Sequence, residues 1–158
     1  MNCAGASLRV ATPADDELLG RVMFEAVHTD PSPYDAAQRR AWIDSPQQGS
    51  DWSERLAAQY VVLAEDGGGD AVGFMSLAGG GYIDFAYLSL KARGAGLFRR
   101  LFAAIEAEAR RQRVARLWVH ASLMAEPAFA AMGFGVIARE EVVIRDQRLA
   151  RCTMERAL

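Results

Sequence analysis

Leu97, Leu101, Phe102, Ile105 and Ala109 recur at the spacing of one helical face and predict an amphipathic helix over 96–113. Leu19, Val22, Met23 and Ala26 do the same after Thr12-Pro13, with acidic residues in the first turn. Shorter helices are expected over 35–43 and 52–59, following the break "TDPSPY", and over 125–132, where Gly133 reads as a C-cap. Between them the pattern shortens to runs and alternations. "SLRVA" predicts a first strand, and "YVVLAED", "AVGFMSLAGG" and "GYIDFAYLSL" predict three strands joined by glycine-rich turns. "RLWVHA" reads as a buried strand, and two strands around a turn at Asp146-Gln147 finish the chain. A strand, a long helix and another strand make a right-handed crossover, which places "GYIDFAYLSL" and "RLWVHA" parallel. The expected architecture is therefore α+β: a central mixed, mostly antiparallel sheet flanked by helices.

Composition narrows this little. A chain of 158 residues without repeat or linker is read as one domain, long enough to hold a core without staples. Its apolar runs fall well short of a membrane span, and the N-terminal "MNCAGASLRVATPADDELLG" has no basic segment followed by an apolar one. A cytoplasmic protein is expected, with Cys3 and Cys152 as reduced thiols, Cys152 within a strand. The two cysteines have no metal-like spacing, and no metal site is expected. A net charge of −2 argues against a nucleic-acid binder.

Charge becomes informative locally. In "KARGAGLFRR" two glycines open a helix whose first turns carry Lys91, Arg93, Arg99 and Arg100, with no acidic residue before Glu106. The partial positive charge of a helix N-terminus disfavours such residues. A strand, a glycine pair and a helix N-terminus form a nest of backbone N–H groups suited to an anion, and a bound polyanion would offset the repulsion among the cations. A bare Gly-x-Gly can equally make only a tight turn.

The stretch Lys91-Ala92-Arg93-Gly94-Ala95-Gly96 resembles the acetyl-CoA pyrophosphate loop of the GNAT superfamily of N-acetyltransferases, Gln/Arg-x-x-Gly-x-Gly/Ala, with Lys91 departing from the first position. "SLMAEPAFAAMGF" resembles the downstream Asn-x-x-Ala-x-x-x-Tyr-x-x-x-Gly-Phe segment, with Ser122, Ala125, Phe129, Gly133 and Phe134 in register. The order of elements agrees along essentially the whole chain. "YDAAQRRAW", "DWSERL", "GYIDFAYL" and "RLARCTMERAL" are similar to a bacterial subgroup without a generally assigned substrate.

The resemblance implies the GNAT fold, with the parallel strands bearing Leu88 and Trp118 splayed to admit acetyl-CoA. It implies that Lys91, Arg93, Gly94, Ala95, Gly96, Leu97 and Arg99 hold the pyrophosphate. Backbone groups near Ala86 and Leu88 would hold the pantetheine and thioester carbonyl, and Ser122 and Phe129 would lie at the thioester end. The expected reaction is direct attack of a primary amine of a small acceptor on the acetyl group. The alternative is an acetyl-CoA-binding module or sensor with little turnover, because the family's usual acidic tyrosine is Phe129 here. Tyr87, Ser122 and Cys152 are the substitutes considered.

Asp84, a carboxylate inside an otherwise apolar strand, is a costly placement unless paired or functional, and is the candidate base. Glu25, His28, Tyr34 and Trp42 are candidates for the acceptor site. Trp52 is open between pocket wall and packing, and His120 reads as a core histidine. A homodimer through the C-terminal strands is compatible with the sequence but not required by it.

Overall fold

The computed structural model describes residues 5–158; Cys3 lies outside them. Strand β1 (Ser7–Val10) leads through a helical turn at Pro13–Asp15 into α1 (Asp16–His28), whose first turn carries Asp16 and Glu17 as the dipole prefers. Helices α2 (Ala36–Trp42) and α3 (Ser50–Ala57) follow. Asp35 caps α2 by accepting from the Gln38 N–H, while the Gln38 side chain returns to the Asp35 N–H. Strands β2 (Tyr60–Glu65) and β3 (Ala71–Leu77) form the expected hairpin.

The predicted strand over 81–90 is broken. It forms β4 (Tyr82–Ile83) and β5 (Ala86–Leu88), interrupted at Asp84 and Phe85. Ser76 sets the break: its N–H donates to the Phe85 carbonyl at 2.9 Å, and its Oγ accepts the Phe85 N–H at 3.0 Å. The single central sheet of the sequence reading is correspondingly two four-stranded sheets, ordered β1-β2-β3-β5 and β4-β6-β8-β7. The remaining elements are α4 (Leu97–Arg111), β6 (Arg116–Ser122), α5 (Glu126–Ala131), β7 (Gly135–Ile144) and β8 (Gln147–Ala157). Strand β6 is buried on alternate residues, Leu117, Val119 and Ala121, rather than throughout. The last turn falls at Arg145-Asp146, one residue earlier than predicted, with Arg145 at φ 55°.

Helix α4 lays its predicted stripe against one apolar cluster that includes Val62, Ala64, Met75 and Leu117. Leu19, Val22, Met23 and Val27 of α1 pack with Trp52 and Leu56 of α3 against Leu63, Phe74 and Phe85. Burial on this scale, at roughly 25 cal/mol per Å² of apolar surface, holds the helices on the sheets without help from disulfides. Gly20 lets the segment between α2 and α3 cross α1 closely, since a Cβ there would stand 2.0 Å from the Gln47 carbonyl oxygen. Strand β7 is an edge strand, with Val136, Ile137 and Val143 exposed. No helix among the described residues is long and apolar enough to cross a membrane.

Candidate functional site

The sheet break opens the site. Strands β4 and β6 run parallel with Tyr82 opposite Trp118 and Ile83 opposite Val119. Beyond that pair β5 leaves to join β3, with Phe74 opposite Tyr87, while β6 continues to Ser122 beside β8. Phe85 and Ser89 bond to β3. Through the two-residue alternation of a strand, Ala86 and Leu88 therefore turn their N–H and C=O groups to the other edge, where β6 has diverged.

Below this open edge lies the loop singled out by its charge. A helical turn at Leu90–Ala92 precedes it, and buried Ala92 and Leu97 anchor its ends. Gly94 and Gly96 have φ of 80° and 77°, in the left-handed region that other residues rarely adopt. A Cβ at either would meet open space, so the backbone conformation is what selects glycine there. The first helical bond runs from the Arg100 N–H to the Gly96 carbonyl at 3.2 Å, which leaves the preceding N–H groups of α4 as the orphan donors of a helix start.

The four cations divide by their surroundings. Arg93 is half-buried and donates to the Leu88 carbonyl at 3.2 Å and to the Ala26 carbonyl at 3.3 Å, with no carboxylate partner among the described residues. Burial lowers the pKa of its guanidinium. Lys91 reaches Asp66 at 3.4 Å. The side chains of Arg99 and Arg100 are exposed and make no hydrogen bond or ion pair among the described residues. A glycine cradle, orphan donors and cations lacking carboxylates fit the diphosphate of a coenzyme A.

A cavity of about 230 Å³ rises from Arg93, Gly94 and Phe98 between Ala86, Leu88 and Ala125 to Trp42, Tyr87 and Ser122. A second, of about 240 Å³, lies among Tyr34, Gln47, Arg55, Asp84, His120 and Arg151. Trp42, Tyr87 and Ser122 line both, and also a small void of about 50 Å³ at the fork of the strands. These three side chains stand where the two cavities meet.

Tyr87 packs beside Phe74 and Trp42, and its hydroxyl has no hydrogen-bond partner among the described residues. Burial pushes its pKa well above the ordinary tyrosine value, so the group keeps its proton and remains a donor. Ser122 accepts the Ala125 N–H at 3.1 Å, capping the turn before α5. Asp84 is paired: Arg55 donates to both its oxygens at 2.7 and 2.9 Å, and Gln59 donates to Oδ2 at 2.7 Å. The alternative of pairing, open in the sequence, is realised, while the carboxylate still lines the second cavity and the void.

Other candidates have mainly packing or tethering partners. Phe129 is fully buried between Phe98 and Phe134, each 5.1 Å away ring to ring, and borders only the small void. Cys152 is wholly buried, and burial raises its thiol pKa. Glu25 is exposed, and neither it nor His28 lines these cavities. His28 Nε2 lies 2.6 Å from the Ile43 carbonyl oxygen. Trp52 donates its indole N–H to the Asp16 carbonyl and packs on Phe85, which decides it for the core. His120 sits 3.0 Å from Thr153 Oγ1, with its pKa lowered by burial, yet it faces the second cavity. Arg55, Gln47 and Arg151, which the sequence reading passed over, also line that cavity.

Residues 29–155 match the model of the acetyltransferase (GNAT) domain. No protein of curated function matches the chain. Among solved structures, a GCN5-related N-acetyltransferase from Rhodopseudomonas palustris is 28% identical, with a TM-score of 0.90 over 100% of this chain and 99% of that one. A phosphinothricin acetyltransferase from Sinorhizobium meliloti in complex with acetyl-CoA is 19% identical, with a TM-score of 0.74 over 98% and 89%. The protein yncA from Salmonella typhimurium, solved with its cofactor acetyl-CoA, is 21% identical, with a TM-score of 0.66 over 96% and 93%. The two splayed sheets, the glycine cradle and the domain match lead to one assignment: the chain belongs to the GNAT family of N-acetyltransferases, whose co-substrate is acetyl-CoA.

Proposed function

We propose that this enzyme acetylates a primary amine of a small molecule held in the 240 Å³ cavity, by direct attack at the point where the two cavities meet. The observation that carries this reading is the shared wall of Trp42, Tyr87 and Ser122, which brings a cofactor channel and an acceptor chamber to one point. Bound acetyl-CoA supplies the activated acetyl thioester. The loop amides from Arg93 to Leu97 grip the diphosphate, with Lys91, Arg93 and Arg99 adding charge. The open edge of β5 at Ala86 and Leu88 holds the pantetheine arm and offers an N–H to the thioester carbonyl, where negative charge develops during attack.

Asp84 takes up the amine proton. Arg55 and Gln59 supply three hydrogen bonds to its carboxylate, which leaves one lone-pair direction on Oδ1 for the ammonium or an intervening water. Tyr87, protonated and without an acceptor among the described residues, hands its proton to the departing sulfur and regains one from the attacking nitrogen, in the role that Phe129 lacks the hydroxyl to perform. Ser122 positions the turn that closes the meeting point. Tyr34 and Trp42 form part of the acceptor wall, whereas Glu25 and His28 act outside it. The net change is an amide in place of an amine and a thioester, a free thiol, and one proton released from the ammonium.

Isothermal titration of acetyl-CoA into wild type and Gly94→Glu, followed by thiol-release assays over an amine panel, tests the reading. Binding by wild type, its loss in the variant and thiol release with at least one amine are expected. Binding without release by any amine would favour a CoA-binding module, and no binding by folded wild type would overturn both.

A further inference from the structure

We infer that the acceptor carries an anionic group beside its amine, as an amino acid does, and that Arg151 receives that group. The inference rests on the acceptor chamber proposed above and specifies its ligand. Arg55, Asp84 and Arg151 are the Arg and Asp side chains lining the chamber. Arg55 and Asp84 close on each other through two hydrogen bonds, so their charges are mutually satisfied. Arg151 differs. It donates Nε to Glu140 Oε1 at 2.8 Å, while its two terminal nitrogens have no hydrogen-bond partner among the described residues. Glu140 lies on exposed β7 and does not line the chamber. The guanidinium therefore presents an unused fork to a partly enclosed space walled by Tyr34, Trp42 and Tyr82. Planar forks of this kind recognise carboxylates and related oxyanions in paired hydrogen bonds.

Its position suits the task. Arg151 is the register partner of Ser122, one strand across from the meeting point of the cavities. An acceptor whose anion rests on Arg151 has its amine close by, on the Asp84 and Tyr87 side. The field of the guanidinium is felt around the chamber. Burial raises the hydroxyl pKa of Tyr34 and Tyr82 and lowers the imidazole pKa of His120, and the Arg151 charge also acts on all three. Glu140 is committed to Arg151 Nε and stands 3.8 Å from His120.

The test compares matched amines on CoA-loaded protein by calorimetry, so that binding is read without turnover. The probes are the common L-amino acids, β-alanine, taurine and aminomethylphosphonate, each against the amide or neutral amine of similar skeleton. At least one anionic amine is expected to bind about 10- to 100-fold more tightly than its neutral counterpart, the range of a charge-assisted hydrogen-bond pair. Arg151→Gln should bring that ratio to within about twofold without weakening the neutral amine, and Arg151→Lys should restore part of it. Equal or weaker binding of every anionic amine overturns the inference. So does an equal loss for both classes in a folded Arg151→Gln. Thiol release with neutral amines alone would preserve the transferase reading and defeat this one. Arg151-dependent binding of an anionic amine without thiol release would do the reverse.

Discussion

The hydroxyl of Tyr34 donates to the Ala150 carbonyl at 2.6 Å and accepts the Leu123 N–H at 2.9 Å. One side chain thus ties the segment before α2 to β8 and to the turn after β6. Tyr34→Phe leaves two backbone groups without a partner, at a cost of about 1–3 kcal/mol. Denaturant unfolding should show that loss, while kcat changes by less than about tenfold. A kcat loss much larger than the stability loss would give Tyr34 a direct part in the reaction.

Tyr87→Phe separates chemistry from packing. The ring contacts with Phe74 and Trp42 remain, so the fold should persist. As proton donor to sulfur the hydroxyl should be worth about 10²-fold in kcat, the lower range of general acid catalysis. Because burial raises its pKa, deprotonation of Tyr87 should cause no loss of wild-type kcat until above the ordinary tyrosine range. An unchanged kcat in the variant would remove Tyr87 from the mechanism.

Arg99 and Arg100 stand exposed at the mouth of the cradle, and their contribution should be screened by salt. The double change to Gln should weaken acetyl-CoA binding by about tenfold at low ionic strength and flatten its salt dependence. Equal salt slopes in wild type and variant would exclude both residues from anion recognition.

Asp15 accepts from both terminal nitrogens of Arg9 at 2.8 Å and from the Thr12 N–H at 2.8 Å. The Arg9 guanidinium, foremost, brings its carboxyl pKa down to about 2. A pKa depressed on folding stabilises the native state above the ordinary carboxylate range, and that stabilisation is lost as pH falls from about 4 towards about 2. Asp15→Asn should lower the melting temperature near neutrality and blunt the fall over that interval. Parallel melting curves for the two proteins across it would deny the pair a role in acid sensitivity.

What the chain disclosed in advance follows from how local each determinant is. The α4 stripe, the glycine pair and the cations before them lie within about twenty residues, and their pattern alone points to a helix start prepared for an anion. The break at Asp84-Phe85 had no such signal. "YIDFAYL" continues the alternation through it, and the deciding partners, Ser76 and Arg55, come from β3 and α3. Arg55 and Arg151 read as ordinary solvated charges until folding sets one against Asp84 and the other opposite Ser122. The chamber they line is assembled from α1, α2, α3, both sheets and the turns between them, so short-range periodicity carries little of it.

Gly20 separates the course of this wall from its lining. The segment bearing Gln47 rests on bare helix backbone there, with its carbonyl where a methyl group would stand. Its course past α1 is therefore fixed by main chain, not by the identity of its side chains. Substitutions of side chains along that wall should change the lining of the cavity without shifting the backbone of β4, β5 and β6. The exchange that undoes this separation is the smallest one, a single methyl group on α1.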